Sequence, residues 1–270
     1  MVGTDGGAEV TAGALTETAA RPAAEWDDLW RPSWWRRQPE WPQEPGIQLV
    51  AILALVLYAN VIVNEVLAPP WYVPFNLGLM TVALLLARSA GTSWVSMGMR
   101  PDRARRGAKV GVLVGVSVIA LLVVAVVIPA SREAFRDERI VEGSFLLSLY
   151  HALFRVPLGT ALYEEVLFRG IIFGVLARRT SALSAALWSS LLFGVWHVLP
   201  ALDAVEANPI GEAIGGTWIP VIGAVVSTFV VGLGFVWLRL YSGSILAPVI
   251  VHIAANSTAL LAAAFVVYVL

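Results

Sequence analysis

The stretch 144–178, SFLLSLYHALFRVPLGTALYEEVLFRGIIFGVLAR, decides the architecture. It is apolar almost throughout, yet it holds Glu164, Glu165 and Arg169 within one helical turn and a half. As a single helix its 35 residues would reach about 52 Å, whereas about 20 residues suffice to cross the hydrocarbon core. The stretch is therefore two crossings, or one crossing and a surface segment. Flanking charge separates these readings, because basic loops stay on the cytoplasmic side. Arg178 and Arg179 belong there, while the preceding loop 131–143 sets three arginines against four acids and belongs outside. The number of crossings between them must be odd, and one fits. His151 and Arg155, one turn apart, then read as an interfacial lead-in, with Pro157 and Gly159 as the bend.

The rest of the chain supports the same solvent. Of its 270 residues 58% are hydrophobic and 14% charged, with a mean hydropathy of +0.77. Soluble domains are about 45–50% apolar and about 25% charged. Further apolar stretches run over 47–68, 75–90, 108–130, 182–200, 217–238 and 244–270, of which 75–90 is short for a crossing. The segment 88–109 holds six of the eighteen basic residues and reads as a cytoplasmic loop. The loop 201–216 has three acids and no base, so it falls outside. The expected fold is an all-α, polytopic transmembrane helical bundle of about seven or eight spans, seven on the charge count. Residues 46–270 form this domain. Residues 1–45 form a tail that reads as disordered and then interfacial, since WDDLWRPSWWRRQPEWPQEP (26–45) mixes five tryptophans with charges. The expected location is the cell membrane, multi-pass, with a cytoplasmic N-terminus.

A net charge of −1 gives no footprint for nucleic acid, and the absence of cysteine excludes thiol catalysis, disulfides and thiolate metal sites. What needs explaining is the charge inside 144–178. On the insertion scale EE…R would cost roughly 7–10 kcal/mol near a helix centre, more than ten apolar neighbours restore. Glu165 and Arg169 are i, i+4 and can pair. Glu164 points about 100° away and has no partner in its own helix, and an unpaired intramembrane carboxyl marks a functional site. Two later spans add polar groups at one-turn spacing: Phe193 and His197 in FGVWH, His252 and Asn256 in HIAAN. Measured from the inner helix ends, Glu164 and His197 lie about 21 and 22 Å up, and His252 about 12 Å.

A carboxylate and an imidazole sharing one water constitute a general base, and a second imidazole and a carboxamide can donate to a developing oxyanion. Ser189 and Ser190 near His197 lack the strand–turn elbow of a serine nucleophile. One Glu and two His are legitimate zinc ligands, but HExxH spacing is absent, so no cofactor is required and zinc is the less favoured alternative. Asn60, Asn64 and Glu65 form a polar face suited to hydrogen bonds between helices, and Gly111 and Gly115 a small-residue packing face. Trp188, Trp196, Trp218 and Trp237 read as belt residues.

EEVLFR, FGVWH and HIAAN, in this order in consecutive hydrophobic segments, resemble the EExxxR, FxxxH and HxxxN motifs of the CPBP intramembrane protease family. That family includes type II CAAX prenyl endopeptidases and bacteriocin-processing (Abi) proteins. The resemblance extends over about 90–260, since RG follows the first motif, SGSILAPVIVH leads into the last, and SMGMRP precedes the basic loop. It implies that Glu164 activates water with His197, that His252 and Asn256 stabilise the oxyanion, and that Glu165 and Arg169, with Phe193, support the site. The implied substrate is a membrane-associated, prenylated or C-terminal peptide, met within the lipid bilayer. Two other readings use the same polar cluster: a transporter with a proton or ion relay, and a non-catalytic immunity or chaperone component. No inverted repeat or pair of broken helices favours transport, and the oligomeric state has no signature in the sequence.

Overall fold

A computed structural model of the chain describes residues 46–132, 135, 140, 143–206 and 216–269. The Trp-rich tail and residues 207–215 of the acidic loop lie outside the described residues. Among the described residues there are seven helices long and apolar enough to cross a membrane: α1 Gly46–Val66, α2 Pro69–Ser89, α3 Pro101–Val127, α4 Phe145–Leu176, α5 Ala182–Val205, α6 Trp218–Ser242 and α7 Leu246–Tyr268. The all-α bundle and the count of seven match the expectation. Outward faces stay apolar, as lipid requires: Leu113 and Leu121 on α3, and Ile222 and Val226 on α6, are more than half exposed. Only helices satisfy their own backbone groups in such a solvent.

Two elements differ from the sequence reading. Span α2 begins six residues before 75, because Pro69 and Pro70 occupy a first turn whose N–H groups would have no partner anyway. Its 21 residues then reach about 32 Å, enough to cross. Span α4 does not bend into a surface segment at Pro157. It runs unbroken for 32 residues, with widened π-helical turns over His151–Leu162 and Glu165–Ile172. A proline ring clashes with the carbonyl four residues back in an α-helix, and the wider turn relieves that clash. Gly159 lets α2 approach here: a Cβ would lie 2.9 Å from the Tyr72 ring, and Asn76 Nδ2 donates to the Gly159 carbonyl at 2.8 Å. The crossing is single, as the charge count required.

Close packing of α3 against α7 fixes the height of the last motif. A Cβ on Gly111 would fall 2.9 Å from Ile250 Cβ and 3.0 Å from the Ala247 carbonyl, and one on Gly115 would fall 3.2 Å from Ala254 Cβ. The small-residue face is thus a contact face, extended by Gly107 against Ser244. Between α6 and α7, Gly243 takes φ 73°, a left-handed cap that reverses the chain within a few residues.

Candidate active site

Three spans converge on Glu164 and Glu165, which are 4% and 0% exposed. Glu165 Oε1 accepts from Arg169 Nη1 at 3.0 Å, the i, i+4 pair expected from the sequence. The same oxygen lies 2.9 Å from His252 Nδ1. A carboxylate only accepts, so Nδ1 carries the proton. His252 Nε2 faces Asn256 Nδ2 at 3.0 Å and accepts from it. Arg169, Glu165, His252 and Asn256 therefore form one chain of hydrogen bonds linking the first motif to the last. The 12 Å depth of His252 in the sequence arithmetic understated its height, since α7 is drawn against α4 at Glu165. Arg169 is fully buried, its guanidinium 3.9 Å from the Phe193 ring centre and 5.0 Å from that of Phe235, contacts that gain strength when water is excluded.

Glu164 takes its partner from α5. Trp196 Nε1 donates to Glu164 Oε1 at 3.0 Å, while Oε2 has no hydrogen bond and lies 3.8 Å from His252 Nε2. The sequence explains why Trp196 is held there. Pro200, four residues on, has no N–H to give to the Trp196 carbonyl, and Asn60 of α1 fills that vacancy from its Nδ2 at 2.8 Å. The regular part of α5 stops at Trp196, and His197 adopts φ −86°, ψ 4°, the sparsely used bridge region common at active sites. His197 Nδ1 lies 2.7 Å from the Phe193 carbonyl and must donate to it, which frees Nε2 as an acceptor.

Glu164, His197 and Asn256 line one cavity of about 280 Å³, together with Asn64, Tyr72, Arg155, Thr160, Trp196 and Asp203. His252, 3% exposed, stands behind Asn256 and outside that lining. Phe193 supports the site from below, its ring 4.5 Å from the His197 ring. Trp196, read as a belt residue, is 5% exposed and part of the site; Trp188, Trp218 and Trp237 are more than half exposed, as a belt requires. Tyr72 and Arg155 were also missed. The available signal for Trp196 was the Trp–x–x–x–Pro spacing that frees its carbonyl, whereas nothing in the sequence links Tyr72 to α4. Ser189 and Ser190 are buried away from the cavity.

The donor set does not suit zinc as placed. Both ring nitrogens of His252 have protein partners, and no three His, Asp or Glu side chains among the described residues are disposed around one point.

The fold and the buried acid–imidazole–amide cluster define a multi-pass membrane protein built around an intramembrane polar cavity. Residues 146–258, the segment holding all three motifs, match the family model of Rce1-like type II CAAX prenyl endopeptidases. Spans α1 to α3 lie outside the match. Neither the curated proteins nor the solved structures gave a significant match to the chain.

Proposed function

We propose that the protein is an intramembrane endopeptidase that hydrolyses a membrane-associated peptide with water activated by Glu164 and His197. The observation that carries this reading is the pairing of two open valences in one cavity: Glu164 Oε2 without a partner and His197 Nε2 with a free lone pair. A water held by both loses its proton to this base, and the hydroxide adds to the scissile carbonyl carbon. Asn256 Nδ2, which has two N–H bonds and gives one to His252, turns the other to the oxyanion. His252 acts through Asn256, which it orients with Glu165 and Arg169 behind it. Collapse breaks the C–N bond as the proton returns from the base to the departing amine.

The cavity also has a side. Its lining includes Val63, Asn64 and Tyr72 around the α1–α2 turn and Pro200 and Asp203 at the end of α5. The opposite helix ends carry Arg88, Arg100, Arg103, Arg105, Arg106, Lys109, Arg178, Arg179 and Arg239 against Asp102 alone. The basic side is cytoplasmic by the loop-charge rule, so in the cell membrane the N-terminus is cytoplasmic and the cavity opens outward. The substrate is then a peptide presented at the outer half of the bilayer, prenylated or not.

The test compares purified wild type with Glu164→Gln on a library of membrane-inserted peptides, read by mass spectrometry. The expected result is cleavage by wild type and a loss of about 10²–10⁴-fold in the variant. Equal cleavage by both proteins would refute the reading.

A further inference from the structure

Away from the polar cavity, the cytoplasmic half of α6 carries an ordered ladder of side chains. Deepest is a groove of about 180 Å³ between Ala182, Leu183 and Ala186 of α5 and Leu233, Val236 and Trp237 of α6. Its walls are apolar or aromatic, and Leu183 and Trp237 are more than half exposed on the lipid side. Nearer the cytoplasm the Trp237 ring stacks on that of Tyr241, one turn later, with centroids 5.2 Å apart and planes at 14°. Arg106 of α3 then sets its guanidinium 5.3 Å from the Tyr241 ring centre. Arg106 is exposed. The only acid of α3, Asp102, is engaged by Arg100 and Arg103, and Arg106 forms no ion pair with any described residue.

The order from cytoplasm to bilayer is thus cation, aromatic pair, apolar groove. From Tyr241 to Leu233 it descends eight residues, about 12 Å along the helix. A phospholipid presents the matching order: a charged phosphate, a glycerol at the level where Trp and Tyr reside, and hydrocarbon below. Charge selects among phospholipids. A guanidinium lying on a ring face keeps its N–H edge for phosphate oxygens. A zwitterionic headgroup brings its own cation beside that phosphate, whereas an anionic one does not. Basic pockets between spans on the cytoplasmic side bind anionic headgroups.

We propose that α3, α5 and α6 hold one anionic phospholipid, with its phosphate on Arg106, its glycerol beside Tyr241 and Trp237, and one acyl chain in the α5–α6 groove. The lipid ties the start of α5 to the end of α6 and so braces the span that carries Trp196 and His197. The site is separate from the polar cavity and does not rest on the hydrolase reading.

The experiment uses the full chain purified in detergent, with phosphatidylglycerol and phosphatidylcholine of identical acyl chains. Retained lipid is counted by native mass spectrometry, and thermal unfolding is followed in parallel. Wild type retains one phosphatidylglycerol in preference to phosphatidylcholine, and Arg106→Gln lowers that retention about 5-fold, the effect of one basic group at a membrane surface. Arg105→Gln is the control, since Arg105 is also exposed but points about 100° away round the helix; it leaves the preference unchanged. Leu183→Trp fills the groove from its exposed side and lowers phosphatidylglycerol retention with Arg106 intact. Phosphatidylglycerol raises the unfolding temperature of wild type and of Arg105→Gln, but not of Arg106→Gln.

Equal losses in Arg105→Gln and Arg106→Gln overturn the proposal in favour of diffuse surface charge. Equal retention of the two lipids by wild type overturns it as well. Undiminished retention in Leu183→Trp removes the acyl chain from the groove and overturns the phospholipid assignment, leaving a site for phosphate alone.

Discussion

Glu164 and Glu165 are adjacent in the chain, equally buried, and expected to respond in opposite directions to neutralisation. Glu165 Oε1 holds both Arg169 and His252, at 3.0 and 2.9 Å. Glu165→Ala leaves the Arg169 guanidinium buried without its carboxylate, and removing one partner of a buried pair costs about 3–5 kcal/mol. Glu164 presents one bonded oxygen, to Trp196, and one with no partner. Glu164→Gln keeps the bonded oxygen and removes the buried charge. Burying a carboxylate without a counter-ion costs free energy, so removing that charge makes the variant equal to or more stable than wild type, by up to about 1–3 kcal/mol. The two variants should then differ by about 3–8 kcal/mol. Reversible unfolding of the purified chain in mixed micelles, titrated with a denaturing detergent, measures the gap. The double variant Glu165→Ala/Arg169→Leu serves as the control, since removing both partners of a buried pair is far milder than removing one. Glu164→Gln losing as much stability as Glu165→Ala, or the double variant falling below the single one, would refute this division between a structural and a catalytic glutamate.

Trp196→Phe removes the only donor to Glu164 among the described residues; a hydrogen bond to a charged group is worth about 1.5–3 kcal/mol, so hydrolysis should fall about 10-fold or more while circular dichroism stays that of wild type. Asn256→Ala should lower kcat by about 10²–10³-fold with little change in KM, as loss of an oxyanion donor does; a change confined to KM would place Asn256 in binding. Gly111→Leu drives a side chain into Ile250 and the Ala247 backbone and should cost about 1–3 kcal/mol of unfolding free energy, with hydrolysis lost as α7 is displaced. Treatment with a strong chelator should leave hydrolysis unchanged, and inactivation reversed by added zinc would overturn the metal-free route.

The bundle was legible in the sequence because lipid imposes a one-dimensional rule. Each span must be about 20 apolar residues and each loop shows its side by charge, so 144–178 could be resolved into one crossing without coordinates. The pairing of Glu165 with Arg169 was legible for the same kind of reason, being set by helical spacing alone. Partners on different helices were not. That Trp196 faces Glu164 rather than lipid depends on how α5 is rotated against α4, which a mostly apolar helix does not encode in its periodicity. That His252 serves Asn256, and Asn256 the cavity, depends on the height of α7. The glycines of α3 made that height possible, but only the packed structure fixed it. Arg155 shows the limit most plainly: the sequence reads it, with His151, as part of an interfacial lead-in and says nothing of its partner. Only the packed structure sets its guanidinium over the ring of Tyr72, in a span more than eighty residues earlier. Insertion is decided residue by residue against lipid, whereas a site is decided by the mutual rotation and height of helices, and those follow from side-chain packing in three dimensions.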